Sequence, residues 1–249
     1  MFAFITEFKM MCLLSGAVNA AKYIIRYAIS FFYNPKIWEG LEGKCVVVTG
    51  ATQEIGREIC KQLSNKKVKI LMIDDNRHKL EYLKNKLLPK VDIEYYVVDM
   101  NINSDNYNIF SFLEEYDIGM LINASITVDR GMESFINRRD DKIINTNILS
   151  TTHITHRVVA QMVEKRFGFV VFIADTAFGL PFPYCSVYSA TLAYLHQLAS
   201  SLYYEMRNYN VVVEYVRHGN ILYSEYGKND QNYTLEKYIG VSFLIRDYE

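Results

Sequence analysis

At 249 residues, half of them hydrophobic, with a net charge of −1, the chain suits one well-buried domain and is too apolar to be disordered. Near-neutral charge without Lys/Arg clusters or zinc-finger spacing excludes a polyanion binder, so no nucleic-acid partner is expected. Cys12, Cys45, Cys60 and Cys185 form no C-x-x-C pair and read as small buried hydrophobes, and His153 and His156 lack companion ligands, so no metal is expected.

Between Met10 and Tyr33 the chain is apolar except at a few positions. Among these, Asn19, Lys22, Arg26 and Ser30 recur at spacings of three and four, which makes one polar stripe on a helix. A helix crossing a membrane would hold Lys22 and Arg26 near its middle, at roughly 2.5–3.5 kcal/mol each. Lying in the interface, the same helix snorkels both cations and sets Phe31, Phe32, Tyr33 and Trp38 near the headgroups. Two other readings stay open: signal-peptidase cleavage at the Val18–Ala20 stretch, and packing of the helix on the domain itself. Residues 1–38 are therefore read as a hydrophobic, anchor-like segment and 44–249 as the domain. A membrane surface is the expected partner, at the cytoplasmic face of the endoplasmic reticulum or a lipid droplet.

From Lys44 onward short apolar runs alternate with helical stretches. The runs are Cys45–Val48, Val68–Ile73, Ile93–Val98, Ile118–Ile122, Phe169–Ile173 and Val211–Val216; the helices lie near 56–65, 76–87, 104–115, 140–166 and 186–208. The runs are continuous and rich in Val and Ile, as strands buried on both faces should be. The pattern predicts an α/β fold with a Rossmann-type doubly wound parallel sheet in a single domain. The two long helices carry Ile144, Ile148, Val159, Leu195 and Leu202; these side chains serve either a homodimer interface or the face toward the sheet.

The first strand ends in Thr49-Gly50-Ala51-Thr52-Gln53-Glu54-Ile55-Gly56 and runs into a helix. Glycines here let the chain turn sharply and let a pyrophosphate approach the backbone at a helix N-terminus. Further on come Asp74 after the second strand, Asp99 after the third, Leu121-Ile122-Asn123-Ala124-Ser125 at the fourth, and Ile144-Asn145-Thr146-Asn147 on a helix. Gly179-Leu180-Pro181-Phe182-Pro183 then precedes Tyr188-Ser189-Ala190-Thr191-Leu192. In these motifs the chain resembles the short-chain dehydrogenase/reductase family over roughly Lys44 to Ile221, and most of all its membrane-associated retinol and 17β-hydroxysteroid dehydrogenases.

The resemblance implies NAD or NADP as cofactor, bound through Thr49, Gly50, Ile55, Gly56, Asp74, Asp99 and Asn123, and a lipid-like small-molecule substrate. Asp74 stands where an acid holds the adenosine ribose 2′-OH, which favours NAD; the competing reading is an Asp that caps the next helix. Tyr188 matches the family's acid/base and Asn147 its helix asparagine. The departures are equally specific. Glu54 replaces the middle glycine of TGxxxGxG and brings negative charge where phosphates should lie. Asp175 stands thirteen residues before Tyr188, in the serine's place, with Thr176 beside it as a stand-in, and Leu192 replaces the lysine that lowers the tyrosine's pKa. His218-Gly219 replaces the usual Pro-Gly, and only thirty residues follow. These changes imply weakened or lost cofactor binding and a catalytically impaired protein or pseudoenzyme. The alternative is an active membrane-associated NAD(P)-dependent oxidoreductase acting on a retinoid- or steroid-like alcohol or ketone.

Overall fold

In the computed structural model, residues 37–88, 90–100, 106–127, 134–137, 139–175 and 183–218 are described. The anchor-like stretch up to 36, Thr176, Gly179–Phe182 and everything from Gly219 on lie outside these residues. Among the described residues no helix is long and apolar enough to cross a membrane.

After a short helical turn over Ile37–Leu41, strands and helices alternate: β1 (Cys45–Thr49), α1 (Glu54–Leu63), β2 (Lys69–Asp74), α2 (Arg77–Leu87), β3 (Ile93–Val97), α3 (Asn106–Glu114) and β4 (Ile118–Asn123). The second half holds α4 (Asp141–Ile144), a π-helical turn over Asn145–Ser150, α5 (Thr151–Lys165), β5 (Gly168–Asp175), α6 (Ser186–Met206) and β6 (Val211–His218). All six apolar runs of the sequence are strands. Among the described residues every strand pair is parallel, and the order is β3-β2-β1-β4-β5-β6. The strand order reverses between β1 and β4, so a ligand crevice is expected beyond their carboxyl ends.

Burial on both faces explains the continuous apolar runs. Every residue of β1 and β4 is buried, and in β2 only Lys69 is not. The helices cover the sheet with narrow stripes. On α2 these are Leu80, Leu83 and Leu87. On α6 they include Leu192, Leu195 and Ala199, all within one core cluster with Val170, Phe172 and Tyr215. Of the apolar residues considered for a dimer face, Val159 and Leu195 belong to this core, whereas Ile144 is exposed. Cys45, Cys60 and Cys185 are free and buried, and His153 and His156 are exposed on α5. The described residues hold no cluster of metal-ligating side chains.

Candidate cofactor and active site

The glycine turn after β1 is held by contacts no other residue would allow. Gly50 has φ +65, and a Cβ there would lie 2.7 Å from the Ser125 Cα and 2.8 Å from its nitrogen. A Cβ on Gly56 would run into the Gly50 carbonyl oxygen. The two glycines thus let α1 start against the turn while the turn lies on the end of β4. Thr49 closes the same junction: its hydroxyl oxygen accepts from the backbone N–H of Ala124 at 3.2 Å and of Ser125 at 3.3 Å. Ile55 is half-buried on the first turn of α1, beside Glu54.

Much of the loop's donor capacity is spent on the protein. Ala51 N–H donates to the Ile73 carbonyl at 3.4 Å and Gln53 N–H to the Gly50 carbonyl at 3.0 Å. Thr52 N–H donates to Asp74 Oδ2 at 2.7 Å, and Asp74 Oδ1 accepts from Asp75 N–H at 2.8 Å. Asp74 is buried, and it braces the glycine loop. The capping alternative is overturned, because the N-cap of α2 is Asn76, whose side chain accepts from Lys79 N–H at 3.0 Å. Asp75, the exposed next residue, is hydrogen-bonded to the Asp74 side chain. Its carboxyl is held above the ordinary carboxylate range, first by desolvation, then by the hydrogen bond and charge of Asp74, with the Lys142 ammonium pulling the other way.

These residues frame a cavity of about 220 Å³ lined by Thr52, Gln53, Asp74, Asp75, Lys79, Asp99, Met100, Ser125, Thr127, Lys142 and Thr146. Asp74 and Asp99, two of the expected cofactor residues, meet here. Asp75, Lys142 and Thr146 were not singled out from sequence. The doublet Asp74-Asp75 at a strand end was a visible signal, and Lys142 and Thr146 are spaced four apart, on one helix face. Asn123 does not line the cavity. It is buried at the end of β4, its Nδ2 donates to Thr155 Oγ1 at 2.9 Å, and its Oδ1 has no partner among the described residues.

The other end of the crevice is built differently. The π turn sets Asn147, fully buried, between the loop after β4 and helix α6. Its Oδ1 accepts from Thr127 N–H at 2.8 Å, and its Nδ2 donates to the Thr127 carbonyl and to Thr191 Oγ1, each at 3.0 Å. Thr191 Oγ1 donates in turn to the Tyr188 carbonyl at 2.8 Å. The asparagine side chain is therefore committed to bracing. Tyr188 is 7% exposed and Leu192, one turn on, 0%. The Leu192 carbonyl accepts from Tyr215 Oη at 3.4 Å. Asp175, the half-buried last residue of β5, stands in register with His218 of β6.

Residues 44–232 match the short chain dehydrogenase family. The chain belongs to that family. It is 28% identical over 216 residues to the very-long-chain 3-oxoacyl-CoA reductase of Mus musculus, covering 81% of this chain and 69% of that protein. It is 29% identical over 178 residues to the inactive hydroxysteroid dehydrogenase-like protein 1 of Homo sapiens, covering 69% and 54%. The chain spans between 66% and 70% of the length of the first curated relatives it matches. Its fold is shared with the short-chain dehydrogenase from Sphingobium yanoikuyae solved with NADPH, at TM-score 0.69 and 22% identity over 74% of each chain.

The family's nicotinamide cofactor would meet two different settings along this crevice. The cavity beside Asp74 and Asp99 offers polar partners for an adenosine, and Gly50 and Gly56 allow close approach of the backbone. The phosphate region carries Glu54 and spends the N–H groups of Ala51, Thr52 and Gln53 internally. On α6 the fully buried Leu192 follows Tyr188 by one turn.

Proposed function

We propose that this short-chain dehydrogenase family member is catalytically impaired in ordinary alcohol–ketone chemistry and acts as a pseudoenzyme that keeps the fold and part of the nucleotide pocket. The observation that carries the reading is Leu192, fully buried four residues after Tyr188, where the resemblance places the activating lysine. An ordinary tyrosine has a pKa near 10, and Leu192 supplies no cation to lower it; forming tyrosinate at neutral pH from such a group costs roughly 4 kcal/mol, about a thousandfold in the reactive form. Asp175, in the serine's place, adds a carboxylate that disfavours a developing alkoxide. The inactive human relative points the same way. Turnover of retinol and steroid panels with NAD(P)H is the test: background rates are expected, and clear hydride transfer abolished by Tyr188→Phe refutes the reading.

The second reading is an active, membrane-associated oxidoreductase on a lipid alcohol or ketone. The name of the reductase relative favours it, together with the polar-striped apolar segment before residue 38. Expression with and without residues 1–38, followed by cell fractionation, tests the membrane part; a fully soluble full-length chain ends it. Sedimentation at several concentrations tests the homodimer expected from the two long helices.

A further inference from the structure

We propose that the exposed face of α2 and the residues just after it, Tyr82, Lys86, Leu88 and Lys90, dock on the surface of an anionic lipid bilayer. The contact uses none of the residues before 38 and does not depend on whether the chain turns over a substrate.

Charge singles out this face. Between Arg77 and Lys90 the chain carries five cations, Arg77, Lys79, Lys84, Lys86 and Lys90, against one carboxylate, Glu81, in a protein of net charge −1. Spaced by helical turns, they form no run in the sequence. Glu81 is half-buried and accepts from Tyr95 Oη at 3.0 Å. Lys79 lines the cavity already described, Arg77 is hydrogen-bonded to the Tyr95 phenol, and Lys84 Nζ lies 5.6 Å from the centroid of the Tyr95 ring. Lys86 and Lys90 are exposed, and neither has a carboxylate partner among the described residues. On the neighbouring strand and loop the pattern is different: Lys67 is held by Glu42 at 2.8 Å and Lys69 by Glu94 at 2.6 Å.

Apolar exposure falls on the same face. Tyr82, one turn before Lys86, is 66% exposed, with Lys86 Nζ 5.8 Å from its ring centroid, and Leu88 is 40% exposed. Leu80, Leu83 and Leu87 already supply the buried stripe that packs on the sheet. The helix dipole favours cations in the last turn of α2, but it does not call for a bare tyrosine and leucine among them. A bilayer surface answers to both features. The phenol ring, the leucine and the lysine stems suit the apolar boundary, and the ammonium groups reach the headgroup phosphates. The face is also convex, about 16 Å of helix from Arg77 to Leu87, and can rest on a plane. Peptide recognition uses grooves or strand edges instead.

The test places a polarity-sensitive fluorophore on Asn85→Cys, an exposed position of α2, in the full chain with Cys12→Ser; Cys45, Cys60 and Cys185 are buried. The protein is mixed with vesicles of phosphatidylcholine, alone or with phosphatidylserine. Each cation near an anionic leaflet strengthens binding about fivefold, so the emission should shift to the blue at about tenfold less lipid when serine headgroups are present. The difference should vanish at about 1 M salt, where charges are screened beyond about 3 Å. Lys86→Glu with Lys90→Glu should abolish the shift and Lys86→Gln with Lys90→Gln should weaken it, both with unchanged melting. A fluorophore on Gln197→Cys, exposed on α6, should stay unshifted. No shift on serine vesicles, or a shift that survives charge reversal, overturns the proposal. So does an equal shift with polyglutamate, which indicates an acidic protein partner, or one that grows with protein concentration without lipid, which indicates a second copy. Fractionation with and without residues 1–38 reads the anchor segment alone, so either contact can fail without the other.

Discussion

Replacing Leu192 with lysine asks whether the socket of a proton relay survives on α6. Leu192 is fully buried, with Leu195 and Ala199 on the same stripe. Losing the leucine's burial forfeits part of roughly 1.5–3 kcal/mol, since the lysine stem recovers some apolar contact. The ammonium is the larger cost. With an ordinary lysine pKa near 10.4, shedding its proton at pH 7 costs about 4.6 kcal/mol, and about 1.9 kcal/mol at pH 9. Together the deficit at pH 7 is about 5 kcal/mol, comparable with the whole stability of a marginal domain at roughly 5–15 kcal/mol. The sign of the pH dependence follows from linkage. A lysine whose folded pKa is depressed binds fewer protons folded than unfolded, so the variant's stability rises with pH up to the unfolded pKa. Urea denaturation at pH 7 and pH 9 should show the deficit relative to the parent shrinking by about 2.7 kcal/mol over that interval. Alcohol turnover should stay at background at both values. A variant within about 1 kcal/mol of the parent at pH 7, with no pH dependence, refutes the reasoning, because the site would then already accommodate a cation.

Three further outcomes follow from the glycine turn and its brace. Gly56→Ala drives a methyl into the Gly50 carbonyl; overpacking of about 1–3 kcal/mol outweighs the helix-propensity gain of about 1 kcal/mol, and the thermal midpoint should fall by several degrees. Asp74→Ala removes the acceptor of Thr52 N–H, a bond to a charged group worth about 1.5–3 kcal/mol. Amide exchange at Thr52 should accelerate in that variant, and unchanged protection would argue against the brace. For Asp75→Asn the pH profile is the readout. A carboxyl raised in the folded state contributes stability that is present below its unfolded pKa and lost as pH rises through the folded one. The asparagine variant should therefore gain on the parent between pH 4 and pH 7 in urea midpoints; a relative loss over that interval would contradict the Asp74–Asp75 pairing.

The strands were legible because burial on both faces leaves a continuous apolar run that little else in a soluble domain produces. The run Cys45–Val48 became β1, Cys45–Thr49, and the other five runs match their strands to within two residues at each end. The stretch 140–166 was less legible. It contains a short helix, a π turn and a longer helix, and the widened turn over Asn145–Ser150 has no hydrophobic period of its own. At the site, Gly50 and Gly56 were readable because their backbone positions tolerate no side chain. The bracing role of Asp74 was not, since its partner Thr52 lies 22 residues away and is reached only once β1 and β2 are paired. The same holds for Thr127 and Thr191, whose bonds to Asn147 span 20 and 44 residues.

The hydroxyl of Thr49 bridges the seam where the two halves of the sheet diverge, gripping the chain just past β4 through two amide groups. That latch consists of one side-chain oxygen and two backbone amides, and it ties the end of β1 to the chain beyond β4 directly. A joint that closes itself in this way leaves the rim of the crevice, Glu54 included, to differ from the family's pattern while the sheet holds its register. Alignment of the two half-sheets and the choice of residues along that rim are, in this chain, separate matters.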